Sequence, residues 1–172
     1  MSAIQRSFGI GRIEWIDVEY TKGDSLRAAV QHLGKVHCVY AEMGNTYNLA
    51  HHLGNSGGAE LVRELVLSKG AVYVGASAGA IMAGHTVQMA LWKNWDDQSC
   101  EGTVSVDWSD KQVARGLDLA GGRSIFPHAN GQYASQAWQA AQARKHGHED
   151  HEVVALADGQ GLVVEGTEAR LV

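Results

Sequence analysis

The segment AVYVGASAGAIMAG, residues 71–84, constrains this chain more than any other stretch. Ala71 to Gly75 is short and nearly all apolar, the pattern of a strand buried in a parallel sheet. Ser77 to Gly84 then begins a helix. Gly75-Ala76-Ser77-Ala78-Gly79 between them fits G-x-S-x-G in the strand–turn–helix context that this motif requires. At so sharp a bend the central residue takes strained dihedrals, and side chains on its neighbours would clash, hence the glycines. Ser77 is thereby a candidate nucleophile at the C-terminal end of a strand. The N–H of Ala78, at the start of the helix, lacks an intrahelical acceptor and can hold an oxyanion. The plainer reading is a tight Gly/Ala turn with Ser77 as its helix cap.

The elements around the bend alternate. Arg12 to Glu19 reads as a strand by its apolar/polar alternation, and Ser25 to Leu33 as a helix capped by Asp24. A strand at Lys35 to Ala41 and helices at Asn45 to Leu53 and Ala59 to Ser68 lead to the elbow. Trp92 to Gly122 carries Trp92, Trp95 and Trp108 among acidic residues and reads as a long functional loop or a pair of edge strands. A short strand, Ser124 to Phe126, precedes Pro127-His128, and Gln132 to Lys145 is a helix. Val153 to Ala157 and Gly161 to Glu165 are closing strands around the turn Asp158-Gly159-Gln160. This order predicts an α/β fold with a mostly parallel sheet. With no repeat and no Pro- or Ser-rich linker, residues 1–172 are expected to form a single domain.

Composition removes several function classes. Hydrophobic residues at 45% and charged residues at 19% are globular values, not those of a disordered chain. The 21 glycines against one proline follow no G-X-Y period, which excludes collagen. The net charge is −5 and no Lys/Arg run could track phosphates, so no nucleic-acid partner is expected. No apolar stretch is long enough for a membrane span, and Met1 to Gly11 shows no signal-peptide pattern, so a cytoplasmic protein with no membrane partner is expected. Cys38, in an expected buried strand, and Cys100, in a polar loop, read as free thiols.

A serine hydroxyl needs a base, and the base an orienting acid. His128, just past a short strand, is the best base. Asp158, in a turn after the strand VVALA, is the best acid. Their plainer readings are a turn histidine and a turn aspartate before Gly159. The turn Met43-Gly44-Asn45-Thr46 also follows a strand. Gly44 N–H can complete an oxyanion hole, and Asn45 and Thr46 can brace the loop and meet substrate or simply cap a helix. Trp92 and Trp95 are expected to wall the substrate pocket, against a plainer reading as an aromatic surface packed on a neighbouring subunit. His51-His52 and the group His146, His148, His151 invite a metal site. Adjacent histidines diverge on a helix, however, and the second group reads as a solvated loop, so no metal is expected.

Four segments in order, MGNTYNL (43–49), YVGASAGA (73–80), IFPHA (125–129) and ALADGQGLVV (155–164), resemble the serine peptidases that include peptidase E (aspartyl dipeptidase) and cyanophycinase. The resemblance spans roughly residues 36–166. It implies a three-layer sandwich, flavodoxin-like and similar to class I glutamine amidotransferases. It also implies Ser77 as nucleophile, His128 as base, Asp158 as acid, no cofactor, and small peptides as substrates. A homodimer is left open. Three departures stand out. The family's first strand and helix have no counterpart here. Glu42-Met43 replaces a glycine pair, so Met43 is expected to crowd the oxyanion region. The arginine-bearing segment of aspartyl dipeptidases has no counterpart in Gln132 to Ala143, so Asp-X specificity does not follow. The alternative function is a non-enzymatic relative that keeps the elbow but acts as a binding or interaction module.

Overall fold

The structure, a computed structural model, describes residues 11–172. The signal-peptide reading falls mostly on residues 1–10, outside the described residues. The elements are α1 (Gly23–His32), β1 (Cys38–Ala41), α2 (Thr46–Ser56), α3 (Gly58–Arg63), β2 (Val72–Gly75), α4 (Ala78–Ala83), β3 (Ser124–Phe126), α5 (Gln136–His146), β4 (Val153–Ala155), β5 (Leu162–Glu165) and β6 (Glu168–Leu171). A π-helical turn, Glu64–Ser68, extends α3. Two 3-10 turns, Val87–Trp92 and Gly131–Ala134, follow α4 and precede α5.

The strands form three pairs. β1 and β2 run parallel with Ala41 opposite Gly75, and β3 and β4 run parallel with Phe126 opposite Ala155. β5 pairs antiparallel with β6. The α/β class and parallel pairing agree with the sequence reading. Four expectations need correction. Arg12 to Glu19 forms no strand, because alternation creates a strand only where another backbone supplies the ladder, and none does here. Ile16 and Val18 of that segment instead pack beside Leu26, Leu61 and Leu65. β5 turns back onto β6 rather than closing with β4. β2 is not buried on both faces: Tyr73 points inward while Val72 is 61% exposed, and Val74 and Tyr40 are exposed with it. Cys38, at the start of β1, is exposed for the same reason.

The main core lies between the two parallel pairs. Tyr47 and Leu53 of α2, Ile81 and Met82 of α4, and Phe126 of β3 meet there. The irregular stretch after α4 forms no strands, yet much of it is core. Trp108 lies 4.9 Å from Tyr47, centroid to centroid, and Ala114 and Leu117 are fully buried. Its backbone is satisfied by the elbow helix, since Leu117 N donates to Met82 O (2.7 Å) and Leu119 N to Ala83 O (2.8 Å). Among the described residues no helix is long and apolar enough to cross a membrane.

Candidate active site

The chain leaving each of β2, β3 and β4, which belong to two separate parallel pairs, delivers a side chain to one place within three residues of the strand's last position. Ser77 follows β2, His128 follows β3 and Asp158 follows β4. Loops beyond the carboxyl ends of parallel strands are where α/β folds gather ligand-binding groups.

The elbow is built by close approach. Ser77 has φ 51° and ψ −105°, outside the favoured regions for a residue with a Cβ. Strain of this kind costs about 1–3 kcal/mol and persists only where its surroundings over-determine it. Here the neighbours do so. A Cβ on Gly75 would lie 2.3 Å from Gly79 O, and one on Gly79 only 2.2 Å from Ala41 O. Gly79 N donates to Glu42 O (3.2 Å), and the Tyr73 hydroxyl donates to Gly79 O (2.8 Å). α4 is thus drawn onto the ends of β1 and β2, and the hydroxyl at the bend projects outward.

His128 Nδ1 lies 2.6 Å from Asp158 Oδ1, and His128 Nε2 lies 2.9 Å from Ser77 Oγ. The carboxylate only accepts, so Nδ1 carries the proton and Nε2 accepts from the serine O–H. The three groups named from sequence therefore share one hydrogen-bond chain. The hydrogen bond from His128 is the chief cause holding the Asp158 carboxyl below its ordinary range, helped by His128 charge, Asn130 and Lys93. The two loops are also tied by backbone: Ala129 N donates to Leu156 O (2.8 Å), and Asp158 N to Asn130 Oδ1 (3.1 Å).

The cleft beside Ser77 is lined by Thr46, Ile81, Met89, Lys93, Trp95, Asp96, Phe126 and His128, among others, and encloses about 40 Å³. Gly44, φ 152°, sits in the turn after β1, and Ala78 is the first residue of α4. Asn45 caps α2, its Oδ1 accepting from Asn48 N (3.0 Å), while its Nδ2 donates to Asp97 O (2.8 Å). Thr46 N donates to Asp96 Oδ2 (2.9 Å). Its hydroxyl is buried on the cleft wall without a protein partner.

The two tryptophans part company. Trp95 is 60% exposed on the cleft. Trp92 is 5% exposed, faces the core and donates from Nε1 to His148 Nδ1 (3.0 Å), so it does not line the cleft beside Ser77. Val87–Trp92 is a 3-10 turn buried at every residue but Leu91. Met43 is 70% exposed and does not line the cleft, contrary to the crowding expected of it. The expected solvated histidine loop is corrected as well, since His148 is 2% exposed and donates from Nε2 to Gln88 Oε1 (2.8 Å). Lys93, Asp96 and Asn130 at the site escaped the sequence reading. A lysine between two tryptophans was the one available signal for Lys93, and spacing alone does not separate it from a surface residue.

Comparison with known proteins bears on the family and the fold. Residues 13–172 match peptidase family S51. The chain belongs to that family. In fold it is similar to the 1.5 Å crystal structure of a Listeria monocytogenes EGD-e protein provisionally described as peptidase E. The TM-score is 0.68 at 21% identity, covering 92% of this chain and 69% of the other. A search among curated proteins found no match. In this S51 chain a histidine past the end of one strand bonds both a serine and an aspartate past the ends of two others.

Proposed function

We propose that this S51 chain is a serine-type peptidase acting on small peptides, with Ser77 as nucleophile, His128 as general base and Asp158 as the acid that orients it. The observation that carries the reading is the unbroken chain from Ser77 Oγ through the imidazole to Asp158, at 2.9 and 2.6 Å. His128 Nε2 takes the serine proton as Oγ attacks the peptide carbonyl, and the imidazolium formed is stabilised by Asp158. The N–H groups of Ala78 and Gly44 hold the oxyanion. The imidazolium then gives its proton to the departing amine, leaving an acyl-serine. Water, deprotonated by the same imidazole, releases the acid. Trp95, exposed on the cleft, supplies an apolar wall for the substrate. The three-layer, flavodoxin-like arrangement implied by the family likeness belongs to this proposal.

The test is covalent labelling with a fluorophosphonate. The folded chain should be labelled at Ser77, and Ser77→Ala should lose both labelling and peptide hydrolysis, the latter by about 10⁴–10⁶-fold. A folded chain that resists the probe would favour a binding module instead.

A further inference from the structure

We propose that Lys93 is a positioning residue for His128: its ammonium pins the two peptide planes on either side of the histidine and so aims the imidazole. This inference rests on the reading of His128 as the general base.

His128 is one of four described non-glycine residues with positive φ, at 55°. A left-handed residue with a side chain is uncommon and needs external support. Lys93 supplies it from the far side of the cleft. Its Nζ donates to Pro127 O (2.9 Å) and to His128 O. The Pro127 carbonyl belongs to the peptide plane that sets φ of His128, and the His128 carbonyl to the plane that sets ψ. Held on one ammonium, the two carbonyls fix both dihedrals. They therefore fix the direction of the Cα–Cβ bond that carries the ring to Ser77 and Asp158.

The ammonium is itself held. It stands 4.2 Å from the ring centroid of Trp95, 4.7 Å from that of Phe126 and 4.6 Å from that of Tyr133. Three aromatic faces attract a cation and exclude the water that would compete for its donors. Burial there lowers the ammonium to about 8, opposed by the charge of Asp158. The other titratable groups around it are His128 itself, Asp96 on its own loop and the Tyr133 phenol. Deprotonation in mildly alkaline solution removes the cation–π attraction and weakens both carbonyl contacts.

Two readouts on the full chain test this: the rate of fluorophosphonate labelling at Ser77, and the downfield proton resonance of His128 Nδ1–H. Lys93→Met keeps the apolar stem and removes the donors. It should slow labelling by about ten- to a hundredfold and shift or broaden the Nδ1–H resonance. Lys93→Arg, whose guanidinium also donates and stacks on rings, should recover part of both. An unchanged labelling rate in Lys93→Met, with Nδ1–H where wild type has it, overturns the proposal. If wild type itself is not labelled, the serine-hydrolase reading fails, yet the Nδ1–H resonance still decides whether Lys93 positions the ring. If Lys93→Met does not fold, Lys93→Gln decides: its shorter, uncharged amide cannot bridge both carbonyls, and the Nδ1–H resonance should shift from its wild-type position. A resonance that stays fixed overturns the proposal.

Discussion

Gly79→Ala should cost this protein most of its reactivity while leaving it folded. A Cβ at residue 79 would sit 2.2 Å from Ala41 O, 2.8 Å from Ala41 C and 2.9 Å from Ala41 Cβ. Real contacts of this kind rarely fall below 3.0 Å, so α4 and the end of β1 must separate by close to one ångström. Neither neighbour is a flexible side-chain tip that can swing aside. Overpacking of this kind costs about 1–3 kcal/mol. For a chain of this size that lowers the thermal midpoint by roughly 3–10 °C. A stability of about 5–15 kcal/mol survives the loss. The site does not survive it equally. Ser77 is joined directly to α4, and its hydroxyl meets His128 Nε2 at 2.9 Å, so a shift near one ångström carries the pair beyond hydrogen-bond range. A misplacement of that size costs about a hundredfold in rate. The assay pairs a thermal melt with fluorophosphonate labelling. The control is Gly54→Ala within α2, where nothing lies within 4 Å of the added methyl. That change should raise stability by about 0.5–1 kcal/mol and leave labelling alone. A Gly79→Ala protein that melts lower but labels at the wild-type rate would show that the elbow tolerates displacement, and the close-packing argument would be wrong.

Two further outcomes follow from the hydrogen bonds. Asp158→Asn should keep the fold, since the carboxyl is largely exposed, yet lower the reaction rate by about 10³–10⁴-fold because the amide no longer fixes the Nδ1–H tautomer. A rate within a few-fold of wild type would remove Asp158 from the mechanism. Acid should loosen the core through His148. Its Nδ1 accepts from Trp92 and its ring is buried, so burial, with neighbouring His146 and His151, pushes it down to about 4 from 6.5. A histidine depressed on folding contributes nothing above its unfolded value and loses stability as pH falls from about 6.5 toward 4, by up to about 3 kcal/mol. Asp150, held at about 2 by hydrogen bonds from His151 and Lys111, adds its loss only at lower pH, below about 4. Melts between neutral and mildly acid pH should show the early loss, and His148→Gln should flatten it; an equal slope in the variant would assign the loss elsewhere.

Much of the site was legible because its signals are local. A strand, a bend that tolerates no side chains at Gly75 and Gly79, and a helix start can be read within one short segment, and they locate Ser77. His128 and Asp158 were legible for a related reason: each follows a short apolar run, and parallel strands present their carboxyl ends at one edge. The hairpin to β6 left a readable trace as well. Gly166-Thr167 between Glu165 and Glu168 is a two-residue loop with Gly first, and Gly166 has φ 63°.

What lay beyond the sequence depends on partners far along the chain. Alternation at Arg12 to Glu19 says which residues could face a sheet, but a strand exists only if another backbone accepts its hydrogen bonds, and that is a tertiary fact. Trp92 and Trp95 are three residues apart with the same chemistry, yet one meets His148 in the core and the other meets the cleft. The same holds for Lys93, whose carbonyl partners lie 34 and 35 residues away. Periodicity and the glycine-flanked bend determined the α/β class, the elbow and the candidate reacting groups, because each is written in neighbouring residues. The packed structure decided which histidine is sealed, which tryptophan is free and which lysine bonds the carbonyls on either side of His128, because those outcomes turn on distances between segments that no local pattern encodes.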